Sequence, residues 1–264
     1  MNAATVSRQA QPAVSTDERF RYVLRLADTS LILGQRLGEW VGHAPAIEED
    51  LGLANVALDL IGQARLLLAY AGELEGRGRS EDDLAFLREE ADFLNCALVE
   101  LPNGDFGRTI VRQFLVDAWQ LALYERLVHS TDARLAEIAA KAVKETRYHV
   151  RYSEGWLIRL GDGTEESHAR VAAALDELWP FTRELIDTDE LDTAMAAAGI
   201  APDLAAVREA WSARVAAALT KATLERPTDV PYRWYGKQGR HTEHLGYVLT
   251  ELQYMQRTYP GARW

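Results

Sequence analysis

Apolar residues recur at steps of three and four along most of this chain, the period of an α-helix. Val23, Leu26, Ser30, Leu33 and Leu37 mark one such face. Ser15 followed by Glu18 forms a capping-box pattern that opens this helix over 16–41, and Gly42 and Pro45 stop it. A second helix is expected over 46–75, ~45 Å long at 1.5 Å per residue. It ends at the turn Gly76-Arg77-Gly78-Arg79. A third, over 80–99, closes at Leu101-Pro102-Asn103-Gly104. The pattern then gives helices over 106–129 and 132–161, the latter ended by Gly161-Asp162-Gly163. Three more follow over 165–187, 189–198 and 203–224, then a helix-poor stretch from Glu225 to Arg240, then a last helix over 241–258. Alternating Val, Ile and Thr runs between tight turns are missing, while Ala, Leu, Arg and Glu dominate. The expected class is all-α: a bundle of long antiparallel helices with extra C-terminal helices. Residues 1–15 read as a disordered lead and 16–264 as a single helical domain.

Composition narrows the function. Of 264 residues, 48% are apolar and 26% charged, which excludes wholesale disorder. Lys and Arg number 29 against 40 Asp and Glu, so the net charge is −11. Such a surface is a poor partner for nucleic acid or anionic lipid. The single cysteine, Cys96, excludes an internal disulfide framework and a Cys-rich metal site, and it fits a reducing compartment. The first 18 residues lack an apolar core, and no run approaches ~20 uninterrupted apolar residues. The expectation is a cytoplasmic protein that neither enters a membrane nor binds nucleic acid.

Carboxylates fall among these apolar faces. Asp117 sits between Ile110, Phe114, Leu121 and Tyr124; Asp59 between Val56 and Leu66; Glu145 between Ile138, Ala142 and Tyr152; and Glu39 two turns after Ile32. Four long helices are therefore expected to direct one carboxylate each inward. A buried carboxylate is costly unless it is paired, hydrogen-bonded or metal-bound. A carboxylate-bridged di-iron site would use a Glu from each of two helices and a Glu-x-x-His from each of two others. Here the corresponding stretches read Asp59-Leu60-Ile61-Gly62 and Glu145-Thr146-Arg147-Tyr148, with no histidine. His149 is displaced by one residue, about 100° around the helix, and is expected to face elsewhere. The alternative is a hydrogen-bonded network in which these carboxylates pair with Arg36, Gln35, Asn55, Gln63 or Arg147 and fix helix register.

Five segments together carry a resemblance: Leu37-Gly38-Glu39-Trp40, Leu58-Asp59-Leu60-Ile61-Gly62-Gln63-Ala64-Arg65, Glu100-Leu101-Pro102-Asn103-Gly104-Asp105-Phe106, Lys144-Glu145-Thr146-Arg147-Tyr148-His149 and His241-Thr242-Glu243-His244-Leu245-Gly246. From about residue 20 to Trp264 the chain resembles the C subunits of the bacterial 1,2-phenylacetyl-CoA epoxidases. The resemblance implies a ferritin-like fold. It implies a non-catalytic structural subunit paired with a di-iron A subunit, with a small B subunit bridging pairs. A reductase carrying FAD and an iron–sulfur centre would bring electrons from NADPH, and the complex would epoxidise the ring of phenylacetyl-CoA with molecular oxygen. Glu39, Asp59, Gly62, Asp117, Glu145 and Tyr148 then correspond to degenerate ligand positions, with no catalytic residue and no metal in this chain. Two rival readings stand beside it: a di-iron oxygenase with an atypical ligand set that includes His149, and an acyl-CoA-binding helical module.

Other residues carry weaker signals. His241 and His244 stand one turn apart beside Glu243, without third and fourth zinc ligands at motif spacing; capping and interhelix hydrogen bonds suit them better. Tyr232, Arg233, Trp234, Tyr235 and Lys237 lie in a basic, aromatic stretch that suits a partner interface or a loop folded back on its own core. Asp92, Phe93 and Asn95 lie near the Pro-Asn-Gly turn and are candidate contacts for a substrate channel or CoA. Cys96 and Trp40, Trp119, Trp156, Trp179 and Trp211 read as core residues.

Overall fold

A computed structural model describes residues 14–262. Helix α1 (Thr16–Gly38) opens on the expected capping box: Ser15 accepts from the Glu18 N–H, and Glu18 reaches back to the Ser15 backbone. The rest of the lead expected over 1–15, up to residue 13, lies outside the described residues, and Ser15 belongs to the helix cap. Helix α2 (Ile47–Glu75) ends at Gly76, which takes a left-handed conformation. Helices α4 (Phe106–Leu127) and α5 (Ala133–Gly161) are capped at their N-termini by Asp105 and Asp132.

The third expected helix is broken into three pieces: α3 (Glu81–Phe86) and short 3₁₀ turns at Glu90–Asp92 and Ala97–Glu100. The reason lies on distant side chains. Asp28 of α1 binds the Arg88 guanidinium and accepts the Leu94 N–H at 2.9 Å. Thr29 accepts the Cys96 N–H at 3.3 Å, and Glu184 accepts the Ala97 N–H at 2.7 Å. Backbone donors satisfied in this way have no need of a helical ladder. The sixth expected helix also splits, into α6 (Glu165–Leu178), a 3₁₀ turn around Pro180, and α7 (Arg183–Ile186). Helices α8 (Glu190–Ala197), α9 (Leu204–Lys221) and α10 (Glu243–Thr258) complete the order. Among the described residues there is no strand, only one antiparallel bridge pairing Tyr235 with Arg240.

Four long helices build the bundle. Helix α1 packs along α2, closely enough at Gly34 that a Cβ would stand 3.1 Å from Ile61 and 3.3 Å from the Ala57 carbonyl. Helix α4 packs along α5, and α6 and α9 cover α4 on its other side. The Trp211 indole of α9 donates to the Leu115 carbonyl at 3.0 Å. The register is antiparallel between α1 and α4, where Ser30 meets Gln120 and Trp40 meets Thr109. It is antiparallel too between α2 and α5, where Asp59 meets His149 and Gln63 meets Glu145. One apolar cluster runs through all of them, from Tyr22 to Leu249. Trp119, Trp179 and Trp211 are buried in it, and Trp40 and Trp156 pack against it half-buried. Cys96 is a free buried thiol, its pKa pushed up by burial.

Candidate functional site

The seam between α2, α4 and α5 is where a bundle of this kind would hold a metal pair. Asp117 of α4 is fully buried there. It accepts from Gln113 Nε2 and from the Ser153 hydroxyl, each at 2.7 Å. Burial pushes its carboxyl up to about 6, against the opposing pull of His149 and of the bonds from Ser153 and Gln113. The other three carboxylates are not interior. Asp59 is 40% exposed at its side chain and Glu145 is partly exposed, along the edge of the seam. Glu39 lies past the end of α1, 45% exposed, paired with Arg36 at 2.8 Å and accepting from Asn103 at 3.1 Å. The sequence pattern predicts four inward carboxylates, and the fold holds one. The α1 helix ends at Gly38, so Glu39 occupies the C-cap instead of the apolar face.

The histidine position is corrected in the opposite sense. Helix α5 turns Ala142, Thr146, His149 and Ser153 inward, and Tyr148 is 40% exposed. His149 is buried, with Nε2 3.1 Å from Asp59 Oδ2 and no partner for Nδ1. Of the pairings expected from sequence, Glu39 with Arg36 and Gln63 with Glu145 (3.0 Å) are present. Arg147 instead pairs with Glu125 at 3.0 Å.

These residues do not fit a di-iron centre. The α1–α4 register puts the fully buried Leu33, not a carboxylate, level with Asp117. Helix α2 offers Gly62, where a Cβ would meet nothing within 4 Å, so the missing ligand is not imposed by crowding. Among the described residues, no three His, Cys, Asp or Glu side chains converge as a metal ion requires. What the seam holds is a polar network that ties α2, α4 and α5 together.

Comparisons with known proteins identify the family. A family model described as phenylacetic acid catabolic protein matches residues 1–264. The chain belongs to this family. A curated relative, the C subunit of the 1,2-phenylacetyl-CoA epoxidase of Escherichia coli K12, is 55% identical over 243 residues, covering 92% of this chain and 98% of its own. Among solved structures, a Synechococcus protein described as protein 19 with aldehyde deformylating oxidase activity matches with a TM-score of 0.55. It is 20% identical over 78% of this chain and 94% of its own, and the likeness shows the ferritin-like fold alone.

Within this family member the second polar centre is one that sequence reasoning missed. Glu100 is fully buried. It accepts from Asn95 at 2.9 Å, from the Thr242 N–H at 2.8 Å, and from the Thr242 hydroxyl at 2.7 Å. His241 sets Nδ1 2.6 Å from Glu100 and Nε2 2.8 Å from the Phe93 carbonyl. Two acceptors require both ring nitrogens to donate, which makes the ring an imidazolium. Burial pulls the His241 pKa down, but the hydrogen bond and charge of Glu100 outweigh it, and the net direction is up. His244 contributes its backbone: the N–H donates to Thr242, and the carbonyl accepts from Arg36. Arg112 is buried nearby, bonded to the Leu101 carbonyl and to Asn103, and burial lowers its pKa to about 9. The clue available in sequence was a lone Glu inside the apolar run Ala97-Leu98-Val99-Glu100-Leu101.

Phe93 and Asn95, expected near a substrate channel, are wholly buried, because their segment is drawn into the core by Asp28 and Thr29. Asp92 alone is exposed, in a cleft of about 670 Å³ that Arg21, Arg77 and Arg79 also line. The 232–237 loop is folded back on its own core to a large extent. Trp234 stacks on Phe181 with centroids 4.5 Å apart. Lys237 binds Asp192 at 3.0 Å, and Arg233 reaches Asp187 at 3.4 Å. Tyr232 and Tyr235 remain exposed.

Proposed function

We propose that this chain is the non-catalytic structural subunit of a multicomponent oxygenase that epoxidises the ring of phenylacetyl-CoA. In this reading it pairs with and organises a di-iron catalytic subunit. A small bridging subunit and a reductase with FAD, an iron–sulfur centre and NADPH complete the assembly, in the cytoplasm. The likeness to a relative named as the C subunit of such an epoxidase supports membership of a complex of this kind. One observation carries the non-catalytic role: at the level of Asp117 helix α1 offers Leu33, one turn beyond Asp59 helix α2 offers Gly62 where a ligand would be needed, and the buried His149 imidazole is already directed at Asp59. A subunit without chemistry of its own still serves catalysis by holding a partner's helices in a productive arrangement.

The test is metal content and reconstitution. The chain is purified alone, supplied with ferrous iron under anaerobic conditions, and analysed for iron. Activity on phenylacetyl-CoA is then measured with and without the metal-bearing subunit. Near-zero iron, with turnover only in the mixture, is the expected result. Two irons per chain, lost in Glu145→Ala, would establish the chain as an oxygenase itself. Tight binding of phenylacetyl-CoA by the isolated chain, with no metal-bearing partner, would favour an acyl-CoA-binding module.

A further inference from the structure

The turn that leads into α4 holds an Asn-Gly pair, Asn103-Gly104. In such a pair the glycine backbone nitrogen can attack the asparagine side-chain carbonyl carbon, because no Cβ shields that nitrogen. Gly104 has φ +63°, and a Cβ there would stand 2.7 Å from Arg108 Cδ. Its N–H donates to no group among the described residues. The turn lies at the surface: Pro102 and Gly104 are exposed and Asn103 is half-buried.

The attack puts negative charge on two oxygens, and the fold sets a donor on each. The first is the backbone carbonyl of Asn103, which takes charge as the Gly104 nitrogen gives up its proton. The Thr109 hydroxyl donates to it at 3.0 Å and itself accepts from the Trp40 indole N–H at 2.9 Å. A bond accepted by that hydroxyl strengthens the one it donates. The second is Asn103 Oδ1, which takes charge as the side-chain carbon becomes tetrahedral. Arg112 donates to it. The Arg112 guanidinium is fully buried and bonds otherwise to the Leu101 carbonyl, with no carboxylate bonded to it among the described residues. Fixed donors aimed at developing oxyanions, away from water, lower the barrier to forming them. The leaving nitrogen, Nδ2, donates to the Arg36 carbonyl at 2.6 Å and to Glu39 Oε2 at 3.1 Å, on a side chain 45% exposed. A proton from surface water therefore has access to it.

We propose that Asn103 is a site of spontaneous covalent modification, at which the Gly104 nitrogen displaces the side-chain amide nitrogen. A bond forms between the Gly104 nitrogen and Asn103 Cγ, and the Cγ–Nδ2 bond breaks. The Gly104 amide proton passes through water to Nδ2, which leaves as ammonia. The cyclic imide then adds one water and opens at either carbonyl, to aspartate or isoaspartate at position 103; nothing is oxidised or reduced. The aspartate product gives Arg112 the counter-ion it lacks and removes the amide donor from the Arg36 carbonyl. Asn103 ties the end of α1 to the start of α4 through these bonds, so the change falls at the junction of two main helices.

The experiment incubates the full chain and a synthetic peptide of residues 98–109 side by side in mildly alkaline buffer. Position 103 is followed by peptide mapping with mass spectrometry and by enzymatic methylation of isoaspartate. The folded chain should convert about tenfold faster than the peptide. Thr109→Val should bring the rate down toward that of the peptide, while Thr109→Ser, which keeps the hydroxyl, should retain it. Asn103→Gln should show no conversion at this position. Circular dichroism establishes that each variant is folded at the incubation temperature; if Thr109→Val is not, the comparison of the unaltered chain with the peptide decides alone. Conversion in the folded chain no faster than in the peptide would overturn the proposal, since the bonds to Asn103 would then lock the amide. Equal rates in folded Thr109→Val and the unaltered chain would overturn it too, by removing the hydroxyl from the reaction.

Discussion

His149 of α5 and Asp59 of α2 face each other across the bundle seam, Nε2 to Oδ2 at 3.1 Å, one residue out of step with where a Glu-x-x-His ligand pair would stand. That offset has a testable consequence. Supplying the two missing histidines through Gly62→His and Tyr148→His should not create a di-iron site. Position 148 is on the solvent side of α5, and Leu33 of α1 gives no bridging carboxylate at the level of Asp117. Iron analysis of the double variant, backed by cobalt substitution and visible absorption, should show far less than two metals per chain. A stoichiometric two-metal spectrum would refute this account of the seam.

Asp117 should make stability depend on pH in the acid range. Its carboxyl titrates near 6 in the folded chain, above the ordinary carboxylate value of about 3.9. A pKa raised by folding favours the folded state while the group is protonated, so stability is lost as pH rises through about 6. Asp117→Asn removes that dependence. The asparagine can donate to Gln113 Oε1, which lacks a partner, once that amide turns over, and can still accept from Ser153. The variant should gain up to about 3 kcal/mol over the unaltered chain at pH 7.5 and almost nothing at pH 4. Urea denaturation at the two pH values checks this, and an equal effect at both would sink it.

The long helices were legible because their apolar spacing and end signals agree: Ser15 with Glu18 opens α1, and Gly76 closes α2. The third helix was not, because what breaks it is Asp28, Thr29 and Glu184. Residues that far away in sequence take backbone donors that local propensity assigns to a helix. The rotation of α5 was ambiguous for a related reason. Glu145, Tyr148 and Tyr152 form one helical stripe and Ala142, Thr146, His149 and Ser153 form the next. Only packing against α2 and α4 decides which is inside. Glu39 is misplaced by a periodic pattern that continues one turn past the true end of the helix at Gly38.

The 232–237 loop should respond to substitution in two distinct ways. Trp234 is stacked on Phe181 inside the chain, so Trp234→Ala should cost about 1–3 kcal/mol of stability. Tyr235 is exposed and Tyr235→Ala should change stability by less than about 0.5 kcal/mol. Thermal unfolding of the isolated chain separates them. If Tyr235→Ala weakens binding of the metal-bearing subunit at unchanged melting temperature, the exposed edge of this loop belongs to the interface.

The Glu100–His241 pair should act as the clamp that fixes the start of α10. Glu100 lies in the segment that Asp28 and Glu184 draw into the core, and His241 reaches it from the other end of the chain. Removing one partner of a buried, hydrogen-bonded ion pair leaves the other uncompensated, at a cost of about 3–5 kcal/mol. His241→Ala should therefore destabilise strongly at pH 6. The sign at higher pH follows from the direction of the shift. The His241 pKa is raised above the ordinary 6.5, so its stabilisation is full below that value. It is lost as pH rises through the folded-state pKa, when the ring can no longer donate from both nitrogens. The difference between the unaltered chain and His241→Ala should accordingly shrink from pH 6 to pH 9. His241→Gln, which keeps one donor to Glu100, should fall between them and show no such narrowing. Denaturant unfolding at both pH values, with amide exchange followed on α10, measures the clamp directly. A gap that stays constant with pH would mean that the ring packs there as a neutral group.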